Sequence, residues 1–114
     1  MITIKAPLPG PPAAATAAVA WIDGPRALVA CSTDPDRIVD LRRGTQSQTT
    51  FLARIVRALG NAERVLILGP GEDRLALERE YVSLYRRPDR LVDVERSGAV
   101  SRDELLARLR ELSG

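Results

Sequence analysis

Histidine is absent from the 114 residues, and Cys31 is the single cysteine. Ser-His-Asp and Cys-His triads need a histidine, and zinc centres made from Cys and His need several such ligands, so both chemistries are excluded. A lone cysteine forms no intramolecular disulfide, which fits a reducing compartment. Inside the apolar run Ala27 to Cys31 it reads as a small buried hydrophobe rather than a reactive thiol. Aromatics make up only 4% of the chain, so aliphatic side chains must build the core. No apolar run approaches the roughly 20 residues needed to cross a bilayer. Pro7, Pro9, Pro11 and Pro12 also interrupt the stretch where a signal-peptide core would lie. The expectation is a cytoplasmic chain without a membrane partner, a cofactor or a metal.

Lysine is nearly absent too: Lys5 is the only one among 17 basic residues, set against 15 acidic ones. Arginine's planar fork suits phosphate and carboxylate. A GC-rich coding sequence produces the same bias, so the positions of the arginines must carry any argument.

What is present reads as one domain behind a lead-in. Four prolines and Gly10 make residues 1–16 an extended, flexible lead-in, because proline removes backbone donors and blocks a helix. Residues 17–114 then carry regular patterning. Ala18 to Asp23 and Arg26 to Ser32 are β-prone runs around Asp23-Gly24-Pro25, a hairpin signal. After Asp34-Pro35-Asp36, read as a turn, Arg37 to Leu41 alternates as a third strand. The period then lengthens to about 3.6, with Phe51, Leu52, Ile55, Val56 and Leu59 on one helical stripe closed by Gly60-Asn61. Val65 to Leu68 is a continuous apolar run, which predicts a central strand covered on both faces. Gly69-Pro70-Gly71 leads into a helix from Glu72 to about Arg87, with acids in its first turn and Arg86 and Arg87 in its last. Leu91 to Val94 predicts a fifth strand, and Ser101 to Glu104 a capping box opening a last helix with Leu105, Leu106, Leu109 and Leu112 inward. The order β-β-β-α-β-α-β-α predicts an α/β fold with an RNase H-like mixed five-stranded sheet.

Three segments could carry chemistry. Gly69-Pro70-Gly71-Glu72 is a strand-to-helix turn of the kind that can hold a phosphate, but it lacks the dinucleotide and P-loop spacings, and Glu72 and Asp73 repel anions. Asp23, Asp40 and Asp93 lie on strands, where an RNase H-type nuclease would hold two metal ions. Acidic residues on solvent-facing strand positions are common, and the plain reading is favoured. The loop Arg42-Arg43-Gly44-Thr45-Gln46-Ser47-Gln48-Thr49-Thr50 offers two arginines, a flexible glycine and two amides. Arg54 and Arg57 extend its basic strip along one helix face, a grip for an RNA backbone. The bland alternative is that Thr49 or Thr50 caps the helix and the arginines are solvated.

Ala18-Val19-Ala20-Trp21-Ile22-Asp23, then Val65-Leu66-Ile67-Leu68-Gly69-Pro70-Gly71-Glu72-Asp73-Arg74-Leu75, then Arg90-Leu91-Val92-Asp93-Val94-Glu95 resemble, in order and spacing, a known group. These are the short bacterial proteins related to the middle domain of archaeo-eukaryotic peptide chain release factors and Pelota, often labelled translational machinery proteins. The resemblance covers about Ala17 to Leu112 and implies the ribosome or tRNA as partner. In release factors a Gly-Gly-Gln loop before the first long helix places its glutamine at the ester of peptidyl-tRNA. Gly44-Thr45-Gln46 stands at that location here, with Phe51 and Arg54 at offsets similar to an aromatic and an arginine of the family. Glutamine can orient water without holding a proton, so a chain without histidine is able to do this. Thr45, however, replaces the second glycine, and its β-branch restricts the backbone. The loop is short, and the expectation is a chain acting without codon-reading or factor-recruiting domains. The favoured reading is a non-catalytic or weakly active translation-associated protein binding ribosome or RNA through residues 42–46, 54 and 57. The alternatives are a peptidyl-tRNA hydrolase using Gln46 and a domain that forms a homodimer through a sheet edge.

Overall fold

The computed structural model describes residues 15–114; residues 1–14 of the proline-rich lead-in lie outside the described residues. Thr16, at the end of that lead-in, is tied to the body: its carbonyl accepts from the Glu63 and Arg64 amides at 3.1 and 3.0 Å. The elements are β1 (Ala17–Asp23), β2 (Arg26–Cys31), β3 (Asp34–Arg42), α1 (Gln48–Leu59), β4 (Arg64–Gly69), α2 (Asp73–Tyr85), β5 (Leu91–Arg96) and α3 (Arg102–Ser113), with a 3₁₀ turn at Pro88–Arg90.

They form one mixed five-stranded sheet of order β3-β2-β1-β4-β5. β1 pairs antiparallel with β2 and parallel with β4, β2 pairs antiparallel with β3, and β4 pairs parallel with β5. The α/β class and element order read from periodicity are therefore those of the molecule. β4 is a covered central strand, because Val65 and Ile67 enter one apolar layer while Leu66 and Leu68 enter the other. The strand alternation of β1 divides it in the same way. Ala18, Ala20 and Ile22 meet Phe51, Ile55, Leu77 and Tyr81 from α1 and α2. Ala17, Val19 and Trp21 meet Leu105, Leu109 and Leu112 from α3. Alanines on the central strands let helices approach closely, and the few large side chains fill what remains.

Three local readings change. Asp34-Pro35-Asp36 is the beginning of β3 rather than a turn, the chain having reversed at Ser32 and Thr33. Proline is tolerated there because β3 is an edge strand, and the register shifts at Ala30/Cys31 where the irregularity begins. α2 stops at Tyr85, with Arg86 in the left-handed region at φ 54°. Arg86 and Arg87 consequently lie beyond the helix instead of in its last turn. α1 is capped by Ser47, whose hydroxyl accepts from the Thr50 amide at 3.1 Å, and not by Thr49 or Thr50. For α3 the capping box is present as read: Ser101 and Glu104 satisfy each other's backbone amides at 3.1 and 3.0 Å.

Candidate functional site

The β3–α1 connection is only five residues, Arg43 to Ser47, and it is tied down at several points. The Arg43 amide donates to the Pro25 carbonyl at 2.8 Å, and the Gln46 amide donates to the Arg43 carbonyl at 3.0 Å. Gly44 has φ 57° with open space where a Cβ would stand, so the left-handed backbone and not crowding selects glycine there.

Gln46 is half-buried and holds an arginine on each side. Its main-chain carbonyl accepts from Arg43 Nε at 2.8 Å. Its side-chain Oε1 accepts from Arg54 Nη1 at 2.6 Å, and the same nitrogen donates to the Arg42 carbonyl at 3.0 Å. Both hydrogens of Arg54 Nη1 are thereby used, which turns the Nε–Nη2 edge of that guanidinium away from the loop. Arg43, bound through Nε, keeps its two terminal nitrogens free of the loop's acceptors. The carboxamide of Gln46 is folded back on α1.

The basic strip read from the sequence is divided by the sheet. Arg43, Gln46 and Arg54 come together, and Arg57 lies exposed one turn further along α1. Arg42 follows the alternation of β3 with Ile38 and Asp40, which share the α3 side of the sheet with Leu28. Arg42 and Arg26 are directly opposite in register, and like charges so placed repel. Asp40 stands between them: Arg26 donates to both of its oxygens at 3.3 and 3.1 Å, and Arg42 lies at 3.5 Å. The Arg26 fork, with the charges of Arg26 and Arg42 behind it, holds the Asp40 carboxyl below its ordinary range. From Leu41 to Ala62 no acidic residue occurs while four arginines do. The first turn of α1 has no acid of its own, although the Asp73 carboxylate of α2 reaches the Gln48 side chain there.

The start of α1 is fixed by a residue that sequence reasoning missed. Asp73, in the first turn of α2, accepts from the Gly24 amide at 3.0 Å through Oδ2 and from Gln48 Nε2 at 3.1 Å through Oδ1. One carboxylate joins the β1–β2 turn, α1 and α2. The only sequence signal was its place as an acid at a helix start, which reads as a dipole effect.

The other candidate segments do not assemble a site. Asp40 on β3 and Asp93 on β5 stand on opposite edges of the sheet, about 19 Å apart at the usual strand spacing. Among the described residues no group of three His, Cys, Asp or Glu is placed to share a metal ion. In the Gly69-Pro70-Gly71 turn, a Cβ on Gly69 would collide with the Ile22 backbone carbonyl, so that glycine serves the approach of β4 to β1. Cys31 is half-buried, with its thiol donating to the Ala58 carbonyl at 3.4 Å. Burial, with the Asp34 charge second, pushes that thiol's pKa up. No helix of the described residues is long and apolar enough to cross a membrane.

No family model and no curated protein matches this chain. Among solved structures, it is similar to the crystal structure of Archaeoglobus fulgidus Pelota, which is described as revealing inter-domain structural plasticity. The TM-score is 0.64 at 14% sequence identity, covering 88% of this chain and 32% of that one. The chain thus spans about a third of the length of that Pelota, and the likeness is one of fold.

Proposed function

We propose that this protein is a translation-associated RNA-binding domain that engages ribosomal RNA or tRNA through the β3–α1 loop without needing to act as a catalyst. The observation that carries the reading is the gathering of Arg43 and Arg54 around Gln46, next to exposed Arg57, in a stretch with no acidic residue. The fold shared with part of an archaeal Pelota supports a setting in translation. Arginine forks bind phosphate oxygens in pairs. Arg42 lends a weaker contribution from the other side of β3, since Asp40 already draws on its charge.

The test is fluorescence anisotropy with a labelled single-stranded RNA, alongside cosedimentation with ribosomes. Each phosphate neutralised contributes about −0.7 to the slope of log affinity against log salt for single strands, so three arginines give a slope near −2. Raising salt from about 50 to 200 mM should then weaken binding roughly twentyfold. Changing Arg43, Arg54 and Arg57 to glutamine should remove most of the binding, and Arg42→Gln alone should do less than Arg54→Gln alone. Salt-insensitive binding, or full binding by the triple variant, refutes the reading. Turnover of peptidyl-tRNA that disappears in Gln46→Ala would replace it with the hydrolase. A concentration-dependent dimer in sedimentation, with no RNA affinity, would replace it with the sheet-edge homodimer.

A further inference from the structure

We infer that Gln46 is a positioning residue: it orients Arg43 and Arg54 as a two-pronged clamp for a phosphodiester and does not itself contact the nucleic acid. This rests on the RNA-binding reading and assigns the work within that site.

Arg54 spends both hydrogens of Nη1 on the Gln46 side chain at 2.6 Å and the Arg42 carbonyl at 3.0 Å. A guanidinium has five N–H donors in a rigid plane. Fixing one nitrogen in two bonds fixes the plane, and the side-on pair Nε–Nη2 is left pointing away from the loop. Arg43 spends Nε on the Gln46 carbonyl at 2.8 Å, and its end-on pair Nη1–Nη2 is left over. Gln46 thus holds both guanidiniums, Arg54 through its side chain together with the Arg42 carbonyl, and Arg43 through its main chain. The edge left on each is one that meets a phosphate with two parallel bonds. Gly44 allows the tight backbone that brings the Gln46 carbonyl back toward Arg43, the Gln46 amide closing on the Arg43 carbonyl at 3.0 Å.

An unclamped arginine must surrender rotamer freedom on binding, whereas one already held does not. Gln46 supplies that advance ordering. Its amide oxygen accepts from Arg54, which turns the carboxamide toward that guanidinium. A contact role and a clamping role predict opposite behaviour in a mutant cycle. If Gln46 touched RNA directly, its loss would cost the same whether or not Arg54 were present.

The experiment is a double-mutant cycle on RNA affinity with Gln46→Ala, Arg54→Gln and the pair, read by anisotropy with a labelled single-stranded RNA at several salt concentrations. Gln46→Ala should weaken binding about three- to tenfold and leave the salt slope unchanged, because no charge is lost. Arg54→Gln should lower the slope by about 0.7. In the Arg54→Gln background, Gln46→Ala should have little further effect, because Arg43 is held by the Gln46 main-chain carbonyl, which alanine keeps. Equal losses in both backgrounds, or a slope changed by Gln46→Ala, overturn the clamp. A second measurement needs no RNA: ¹⁵N relaxation of the Arg54 Nε–H should show an ordered group that becomes mobile in Gln46→Ala. An Arg54 equally mobile in both proteins overturns the clamp even if RNA binds. An ordered Arg54 with no RNA affinity overturns the binding reading on which the clamp depends.

Discussion

Removing the Asp73 carboxylate tests whether the loop platform is held as described. Asp73 satisfies the Gly24 amide and the Gln48 side chain at 3.0 and 3.1 Å. Asp73→Ala strips both acceptors and leaves the part-buried Gly24 amide without a partner. A bond to a charged acceptor contributes about 1.5 to 3 kcal/mol when shielded, and the Gln48 bond is exposed and counts for less. With a further few tenths from the helix dipole, the loss is about 2 to 3 kcal/mol. For a domain of this size each kcal/mol moves Tm by roughly 4 to 8 °C, so the melting point should fall by roughly 10 to 20 °C. Asp73→Asn behaves differently: its Oδ1 keeps the Gly24 amide, and its Nδ2 donates to Gln48 once that carboxamide turns over. That variant should lose about 1 kcal/mol or less. Thermal and urea unfolding followed by circular dichroism measure both. An alanine variant within about 0.5 kcal/mol of the parent, or an asparagine variant as unstable as the alanine one, refutes the three-way tie.

Two further outcomes follow from titrating groups. The Arg108 fork donates to both Glu95 oxygens at 3.0 and 2.8 Å and holds that carboxyl below its ordinary value of 4.5. A depressed carboxyl stabilises the fold above its unfolded pKa, and that contribution fades as pH drops below about 4.5. Arg108→Met should therefore flatten the acid side of the stability profile between pH 5 and 3 while changing little of its shape at higher pH, as urea titrations at stepped pH would show. Cys31, with its raised pKa, should react with iodoacetamide at pH 8 at least several-fold more slowly than a free thiol. In denaturant it should recover the full rate; fast alkylation of the folded protein contradicts the burial described.

Which parts of this could be read from residues alone follows from how far each determining contact lies along the chain. The apolar run Val65 to Leu68, the Phe51–Leu59 stripe and the Ser101–Glu104 box are local signals, and each became the element expected. Asp34-Pro35-Asp36 looked like a turn because proline and aspartate favour turns in isolation. Only the position of β3 at the sheet edge, which no local pattern reveals, makes it a strand. The loop was placed correctly between β3 and α1, but its inner arrangement depends on Arg54 reaching back eight residues. Asp73 acts across 49 and 25 residues, distances over which sequence pattern carries no register. Arg42 parted from its neighbours because strand alternation sent it to the other face, a consequence of β3 running on to residue 42.

Trp21 is the single tryptophan. It lies beneath α3 with its indole N–H on the Gly98 carbonyl at 2.9 Å. The two tyrosines, Tyr81 and Tyr85, sit together on the opposite side of the sheet with ring centroids 5.1 Å apart. Nature has in effect installed a separate optical reporter in each layer. Lifting α3 wets the indole and reddens its emission while the tyrosine pair stays dry, whereas loosening α1 and α2 does the reverse. The sequence of events as this protein comes apart is thus visible in its own ultraviolet spectrum, with no label attached.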